Sequence, residues 1–221
     1  MKDGIEQGQS ERTSSVADRP RSEFDFIREL KERVSLHSSS QTQSSLLTGI
    51  GDDAAVIRNT TGNDTVVTAD LLVENVDFRR TTTPRFFLGH KSLAVSLSDI
   101  AAMGARPRWA LVSLGLPEGI WESDFTENFY EGLLQLARRF DVQLVGGDTS
   151  RTPDSIVVDS MVVGECVSGS AIKRSGAAPG DQIFVTGSLG GSAAGLRLIE
   201  RGAHLADQNL RTHETQALDQ L

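Results

Sequence analysis

The sequence predicts a protein that combines short β-strands with amphipathic α-helices, and two patterns carry this prediction. From Leu46 onward, short β-branched runs are separated by Gly and Asp, as in strands joined by turns. Between these runs lie longer segments whose apolar residues recur at helical spacing. With 221 residues, 38% hydrophobic and 24% charged, the chain can bury a core and has the composition of an ordinary globular protein.

The first elements in chain order are a polar leader and a helix. Residues 1–21 are rich in Ser, Glu, Asp, Arg and Gln, a composition typical of a disordered leader. Ser22 is suited to cap a helix, and one face of that helix would carry Phe24, Ile27, Leu30 and Val34. The polar run Ser38–Ser45 then predicts a flexible connection.

The central part of the chain carries the strands and two further helices. Five strands are predicted, at Ala54–Ile57, Thr65–Ala69, Trp109–Leu114, Val142–Val145 and Ile156–Val167. The turn Asn59–Asn63 joins the first two strands. One helix has Thr83 as its cap and Pro84 as its first residue, and it ends near Gly104. A second amphipathic helix covers Ser123–Phe140.

A second unit is expected to begin after residue 168. The turn Ala178–Asp181 introduces a predicted strand at Gln182–Thr186, and Gly187–Gly195 leads into a helix through Leu198. The tail Ala203–Leu221 is polar and shows no sustained helical pattern. We therefore divide the chain into a disordered leader (1–21), an N-terminal domain (22–168) and the beginning of a truncated C-terminal domain (169–221).

The strongest chemical signal is aspartate beside small residues at four places, which hold Asp52 or Asp53, then Asp70, Asp99 and Asp148. A carboxylate next to Gly or Ala can approach a bulky hydrated ligand, and several such carboxylates repel one another unless cations hold them together. Oxygen ligands of this kind suit Mg²⁺. A single Gly-Asp pair is equally typical of a turn. Asp99 is more informative because it interrupts the apolar helical stretch Leu97–Met103, where an unpaired carboxylate costs roughly several kcal/mol.

Composition argues against several classes of function. The net charge of −8 disfavours a nucleic-acid or anionic-membrane partner, and no apolar stretch approaches the roughly 18 residues of a membrane span. The single cysteine, Cys166, excludes an internal disulfide, fits a cytoplasmic protein and is expected to be a buried thiol. Neither His nor Cys recurs at the spacing of zinc ligands, and no Ser-His-Asp arrangement is visible.

The signals for phosphate binding are weaker. The segment Gly187–Ser192 follows a predicted strand and precedes a helix, so it suits either a phosphate cradle or a tight packing turn. Four basic residues are candidates to meet phosphate, and each is equally at home on a solvated surface: Lys91, Arg151, Lys173 and Arg174.

Five ordered blocks of the sequence resemble thiamine-monophosphate kinase, within the superfamily that includes aminoimidazole ribonucleotide synthetase and selenophosphate synthetase. The resemblance extends from about residue 22 to residue 201. The blocks are Gly49–Ala55, Thr68–Phe78, Lys91–Pro107, Gly146–Arg151 and Arg174–Leu196.

The resemblance implies an α+β fold with an N-terminal mixed sheet, helices on one face and the start of a second α+β domain. It also implies a homodimer formed by the two sheets, and transfer of the ATP γ-phosphoryl group to thiamine monophosphate, which gives thiamine diphosphate. By analogy, the ligands of a Mg²⁺ cluster are Asp53, Thr68, Asp70, Asp99 and Asp148. The implied ATP contacts are Gly147, Asp148, Arg174 and Tyr130.

The sequence departs from the family pattern at two places. Family members commonly carry His near the end of the segment Asp-x-Leu-Val-Glu-Gly-Val-His-Phe, whereas this chain has Asp77 there and Asn75 in place of the usual Gly. The carboxylate of Asp77 is a candidate contact for the cationic thiazolium of the substrate. The family's later Ser-Asp-Gly-Leu segment has no counterpart after Arg201. Two alternatives stay open: another ATP-dependent synthetase of the superfamily, or a nucleotide- and metal-binding dimerisation module without turnover.

Overall fold

A computed structural model describes residues 22–37, 44–59, 62–187, 189–203 and 211–219 of the chain. The helices of this part are α1 (Glu23–His37), α2 (Arg85–Ala102), α3 (Glu118–Trp121), α4 (Phe125–Arg139), α5 (Gly191–Glu200) and α6 (Thr212–Asp219). The strands are β1 (Leu46–Thr48), β2 (Ala55–Arg58), β3 (Asn63–Val73), β4 (Arg106–Leu116), β5 (Gln143–Gly146), β6 (Thr149–Arg151) and β7 (Val157–Val167).

The described strands form one mixed sheet in the order β1-β2-β3-β7-β4-β5, with β6 also paired to β4. Strand β7 lies between β3 and β4 and is antiparallel to both, so β3 and β4 run in the same direction. Helix α2 makes the crossover from β3 to β4, and α4 makes the crossover from β4 to the parallel strand β5. This arrangement confirms the predicted α+β class with a mixed sheet.

Helices α2 and α4 pack against each other, and α2 packs on β3, β7 and β4. Alternate residues of the long strands face this helical layer, because successive side chains of a strand point to opposite sides of the sheet. The largest side chains of the core are fully buried: Leu88, Leu93, Ile100, Met103, Phe125, Phe129, Leu133 and Ile156. The prediction of helices on one face is therefore confirmed, and Cys166 is a buried free thiol as expected.

Most predicted elements of the N-terminal domain are present, with small errors at their ends. Pro84 precedes the first helical residue of α2 instead of occupying it, and Thr83 makes no side-chain capping bond. Gly104 follows the helix with φ +65°, a left-handed conformation that Gly adopts without strain and that ends the helix as predicted. The elements β1, β6 and α3 were not predicted, since three or four residues are too few to show a periodicity.

Two predictions for the C-terminal part were wrong. Residues 182–186 form no strand, and Ile183 is 94% exposed. A β-strand needs a hydrogen-bonding partner, and none of the described strands pairs with this segment. The tail does contain a helix, α6, whose first turn is capped when Glu214 accepts the backbone N–H of Arg211. Helix α6 is short and lacks a long amphipathic pattern. It is stabilised by the local cap and by packing on α5.

Two of the predicted segments fall on parts of the chain beyond the described ranges. The expected leader, 1–21, and most of the polar connection, 38–43, lie outside the described residues. The boundary near residue 168 stays a prediction. None of the helices in the described ranges has both the length and the apolar composition needed to cross a membrane.

Candidate functional site

Three of the four predicted aspartates lie near one another between the middle of strand β3, the start of β2 and helix α2. Thr68 and Asp70 lie two residues apart on β3 and therefore on the same side of the strand, the side that α2 covers. The hydroxyl of Thr68 donates a hydrogen bond of 2.8 Å to Oδ2 of Asp99 on α2. It also lies 3.4 Å from the carbonyl oxygen of Asp53, just before β2. Packing of α2 on β3 thus assembles residues that are distant in sequence.

The charge balance of this cluster raises the pKa of Asp99 above its ordinary value. Partial burial is the largest cause, and repulsion by Asp70 and Asp53 acts in the same direction. The hydrogen bond from Thr68 and the charge of Arg174 oppose the shift. The net direction means that the carboxylates lack full compensation, so a cation at this position would be favourable.

Arg174 supplies part of the missing positive charge. Its Nε donates a hydrogen bond of 2.9 Å to Oδ1 of Asp53, and its Nη2 contacts the same oxygen. Its backbone N–H donates to Oδ1 of Asp52 at 3.2 Å. These bonds, with the Asp53 charge, raise the pKa of the Arg174 guanidinium. The predicted ATP contact is therefore adjacent to one of the predicted metal ligands.

A cavity of about 440 Å³ opens beside Arg174 and the glycine-rich segment that precedes Asp53. Its lining includes two further basic residues, Lys31 from α1 and Lys173. The amino group of Lys31 lies close to Gly51, since a Cβ built on that glycine would be 3.5 Å from Nζ. The cavity thus combines backbone of a Gly-rich turn with three cationic side chains, a combination suited to phosphate groups.

Asp148 does not join the other three aspartates. Its carbonyl oxygen accepts the N–H of Leu114, and its Oδ1 accepts the N–H of Thr149 at 2.8 Å. Across the sheet, Asp70 pairs with Ser160, which pairs with Val112 beside residue 147. Asp148 is therefore three strands from Asp70, or about 14 Å at the usual strand spacing.

Gly147 is required by the close approach of its backbone to β4. A Cβ at this position would lie 1.8 Å from the carbonyl oxygen of Val112. Its φ of +152° is also in the range that favours glycine. The fold therefore requires glycine at position 147, whether or not its amide contacts a nucleotide.

The loop after β3 holds Asp77 in place. One carboxylate oxygen of Asp77 accepts the N–H of Val73 at 2.8 Å, and its carbonyl accepts a hydrogen bond from Lys91 at 2.6 Å. Asn75 has φ +67°, a conformation that Asn tolerates better than most residues, which explains how it replaces the usual Gly. The loop is therefore ordered by its own hydrogen bonds, with Asn75 in the left-handed conformation.

The other predicted contacts are elsewhere or already engaged. Tyr130 lies half-buried on α4 with its ring edge-to-face against Phe129, and burial raises the pKa of its hydroxyl. Arg151 pairs with Glu118 at 3.2 Å, so it is not directed to the aspartates. The structure brings Asp53, Thr68, Asp70, Asp99 and Arg174 together, and it places Tyr130, Asp77 and Asp148 outside that group.

No three His, Cys, Asp or Glu side chains of the described residues converge closely enough to enclose a metal ion by themselves. This finding disfavours an all-protein cage. It agrees with Mg²⁺, which keeps several waters and is usually bound by one or two carboxylates together with substrate phosphates. The donor set of carboxylates and a hydroxyl therefore fits a magnesium ion that is shared with a phosphorylated ligand.

Sequence reasoning missed two buried hydroxyl groups beside the aspartates, those of Ser96 and Ser160. The hydroxyl of Ser96 lies 2.8 Å from Oδ2 of Asp70. A signal was present, because Ser92, Ser96 and Asp99 recur at helical spacing along an otherwise apolar helix. Such a polar stripe predicts a buried hydrogen-bonded layer.

Comparison with known proteins adds the family context. The model of the family "AIR synthase related protein, N-terminal domain" matches residues 51–166. Thiamine-monophosphate kinase of Bacillus subtilis is 44% identical over 177 residues, which are 80% of this chain and 52% of the relative. The chain thus spans about half the length of the curated relatives it matches.

Two solved structures have the same fold over most of the chain. One is AaThiL complexed with AMPPCP and TMP, with a TM-score of 0.74 and 32% identity, covering 90% of this chain and 57% of that one. The other is thiamine-monophosphate kinase from Stenotrophomonas maltophilia K279a, with a TM-score of 0.63 and 40% identity, covering 89% and 60%. The predicted resemblance is therefore confirmed.

Proposed function

The chain belongs to the family of AIR synthase related proteins through its N-terminal domain, and from that membership we propose that it takes part in the ATP- and Mg²⁺-dependent phosphorylation of thiamine monophosphate. The product of this reaction is thiamine diphosphate. Relatives named for this activity and a structure with AMPPCP and TMP support the assignment. A cytoplasmic location, as expected from the single cysteine, belongs to the same proposal.

The observation that carries the proposal is the assembly of Asp53, Asp70 and Asp99 beside Arg174. Phosphoryl transfer requires positioning and charge neutralisation more than a covalent nucleophile. Bound Mg²⁺ would neutralise phosphate charge between these carboxylates. Arg174, with Lys31 and Lys173 in the adjacent cavity, would hold the phosphate chain of ATP. Gly147, Asp148 and Tyr130 would contact the rest of the nucleotide, as the family resemblance implies.

Isothermal titration with a non-hydrolysable ATP analogue tests this assignment. Binding is expected to require Mg²⁺ and to be lost in Asp99→Asn. Asp154→Asn, in the exposed turn between β6 and β7, is the matched control and is expected to bind like the unmodified chain. Binding that is independent of Mg²⁺, or equal in Asp99→Asn and the unmodified chain, would contradict the proposed metal-bridged site.

Asp77 is proposed as a contact for the acceptor. Its loop is fixed by the bonds to Val73 and Lys91, and its carboxylate would attract the cationic thiazolium. Asp77→His restores the usual family residue and Asp77→Asn removes only the charge. If the charge assists binding, KM for thiamine monophosphate rises in Asp77→Asn while KM for ATP is unchanged. An unchanged KM for both substrates would reject this role.

We further propose that two copies of the chain pair through the face of the sheet opposite α2 and α4. That face exposes large apolar side chains, including Leu71 at 58%, Trp109 at 47% and Met161 at 37%. Exposed apolar area of this kind marks an interaction surface, and a second copy buries it symmetrically. Met161 lies between Ala69 and Leu111 at the middle of the face.

Light scattering coupled to size exclusion measures the association. The unmodified chain is expected to elute as a dimer and Met161→Lys as a monomer. Phe87→Lys is the control, since Phe87 is an exposed apolar residue of α2 on the other side of the sheet. A monomeric unmodified chain, or a dimer that survives Met161→Lys, would refute this interface.

A second candidate function is a Mg·ATP-binding module without turnover. The observation that favours it is the distance of Asp148 from the other three aspartates, which leaves the implied ligand set divided. A steady-state assay separates the candidates, because the kinase releases ADP in the presence of thiamine monophosphate and the module binds Mg·ATP without releasing ADP.

A further inference from the structure

A layer of buried hydroxyl groups lies between α2 and the sheet, directly beside the acidic cluster. Ser96 on α2 and Ser160 on β7 are 0% and 1% exposed, and their oxygens are 2.7 Å apart. Ser96 Oγ is also 2.8 Å from Oδ2 of Asp70. Ser160 Oγ is 2.7 Å from the carbonyl oxygen of Ser92. The two serines therefore connect the helix, the central strand and one carboxylate.

The number of available protons limits which hydroxyl donates to which acceptor in this layer. Each hydroxyl has one proton to donate, whereas the neighbouring acceptors are the Asp70 carboxylate, the carbonyls of Ser92 and Ser160 (the latter 3.1 Å from Ser96 Oγ), and the other serine oxygen. The Ser92 carbonyl has two lone pairs, so it accepts the hydroxyl of Ser160 at 2.7 Å in addition to the helical N–H of Ser96. A carboxylate forms the stronger, charge-assisted bond. The favoured arrangement is therefore Ser96 donating to the Asp70 carboxylate, with Ser160 donating to the Ser92 carbonyl and its oxygen lying against that of Ser96.

The carboxylate of Asp99 is held in the same way, except that its hydroxyl donor lies on the strand and the carboxylate lies on the helix. Thr68 on β3 donates to Oδ2 of Asp99 on α2, while Ser96 on α2 donates to Oδ2 of Asp70 on β3. Within the described residues, neither Oδ1 receives a hydrogen bond. Each hydroxyl thus holds one oxygen of the opposite element's carboxylate and leaves the other oxygen for a ligand.

We propose that Ser96, supported by Ser160, is a positioning residue that orients Asp70 for a divalent cation. This inference rests on the metal site of the proposed function. Residues that orient a metal ligand through a hydrogen bond typically contribute about 10–100-fold to metal affinity. Neither serine contacts the reacting groups. Their effect is to fix the rotamer and the accepting oxygen of Asp70.

The test measures Mn²⁺ binding to the full chain by electron paramagnetic resonance, with Mn²⁺ as the probe for the Mg²⁺ site. Ser96→Ala is expected to weaken Mn²⁺ binding by about 10–100-fold. Ser92→Ala is a matched control, because Ser92 is equally buried on the same helix and its hydroxyl donates only to the Gly89 carbonyl. Ser92→Ala is expected to keep the Mn²⁺ affinity of the unmodified chain.

Urea unfolding separates positioning from simple stabilisation. Both substitutions remove one buried hydroxyl and are expected to lower the urea midpoint by a similar amount. Unchanged Mn²⁺ affinity in Ser96→Ala, or equal weakening in Ser92→Ala, overturns the inference. If Ser96→Ala does not fold, Ser160→Ala carries the test and must lower the affinity. An unmodified chain that binds no Mn²⁺ overturns both this inference and the proposed function.

Discussion

Helices α2 and α4 touch through their backbones at two glycines. Replacing one of these glycines with Ala adds a methyl group and tests how the helix contact supports the site. A Cβ on Gly132 of α4 would lie 1.9 Å from the carbonyl oxygen of Phe86. A Cβ on Gly89 of α2 would lie 1.8 Å from the carbonyl oxygen of Phe129. The two glycines therefore allow the helices to approach more closely than any side chain permits.

The expected cost of Gly132→Ala follows from these distances. Real Cβ contacts are essentially never shorter than 3.0 Å, so the helices must separate by at least 1.1 Å from the present 1.9 Å. Overpacking of this kind costs about 1–3 kcal/mol or more, and Ala returns up to about 1 kcal/mol of helix propensity. Because the obstacle is backbone and cannot rotate away, we expect a net loss of about 2 kcal/mol in the free energy of unfolding.

The displacement is expected to reach the acidic cluster, because α2 carries Asp99. To the extent that α2 takes up the displacement and α4 does not, the 2.8 Å bond from Thr68 to Asp99 is lengthened, by up to about 1.1 Å. Mn²⁺ affinity should therefore fall together with stability in Gly132→Ala.

The assay is urea unfolding followed by circular dichroism, with Mn²⁺ binding measured on the same samples. Gly119→Ala is the matched control, since a Cβ there meets nothing within 4 Å and Ala is expected to stabilise α3 slightly. A Gly132→Ala chain as stable as the unmodified one would show that the helices are not held at backbone contact.

Three further predictions concern charged groups. The pKa of Asp99 is raised in the fold, so the stability gained from its proton is present below the unfolded pKa and lost as pH rises through the raised pKa. At pH 7, Asp99→Asn should therefore resist urea better than the unmodified chain, and a lower urea midpoint in Asp99→Asn would contradict this reasoning. Burial, and then the charge of Arg139, lower the pKa of His90 below 6.5. The unfolded chain therefore binds a proton at His90 more readily than the folded chain, and the free energy of unfolding should fall as pH drops below 6.5. His90→Gln should flatten that part of the pH–stability curve, and an equal slope in both chains would contradict this. Arg174→Gln removes the guanidinium that is bonded to Asp53, so it should raise the affinity for Mn²⁺ alone and lower the affinity for the ATP analogue. A fall in both affinities would argue against competition between Arg174 and the cation.

Local chemistry made much of the fold predictable. The strand later found as β7 was predicted almost to the residue, because its apolar run is long. The stop at Gly104 was visible because a left-handed residue ends a helix. The segment 182–186 was mispredicted for the opposite reason. Its composition suits a strand, but a strand exists only where another strand pairs with it.

The chemical character of the site follows from the residue types alone. Carboxylates beside small residues, and Asp99 within an apolar helix, predict an oxygen-ligand cation site. These are statements about residue types and their neighbours, which the sequence contains directly.

Which of those residues lie close together depends on how the helices and strands pack. The approach of α2 to β3 brought Asp70 and Asp99 together with two hydroxyl donors, whereas the strand order placed Asp148 three strands away. The distance between two strands depends on the sheet order and not on their separation in sequence. The partners of a buried hydroxyl such as Ser96 depend on packing for the same reason, so the site required the fold.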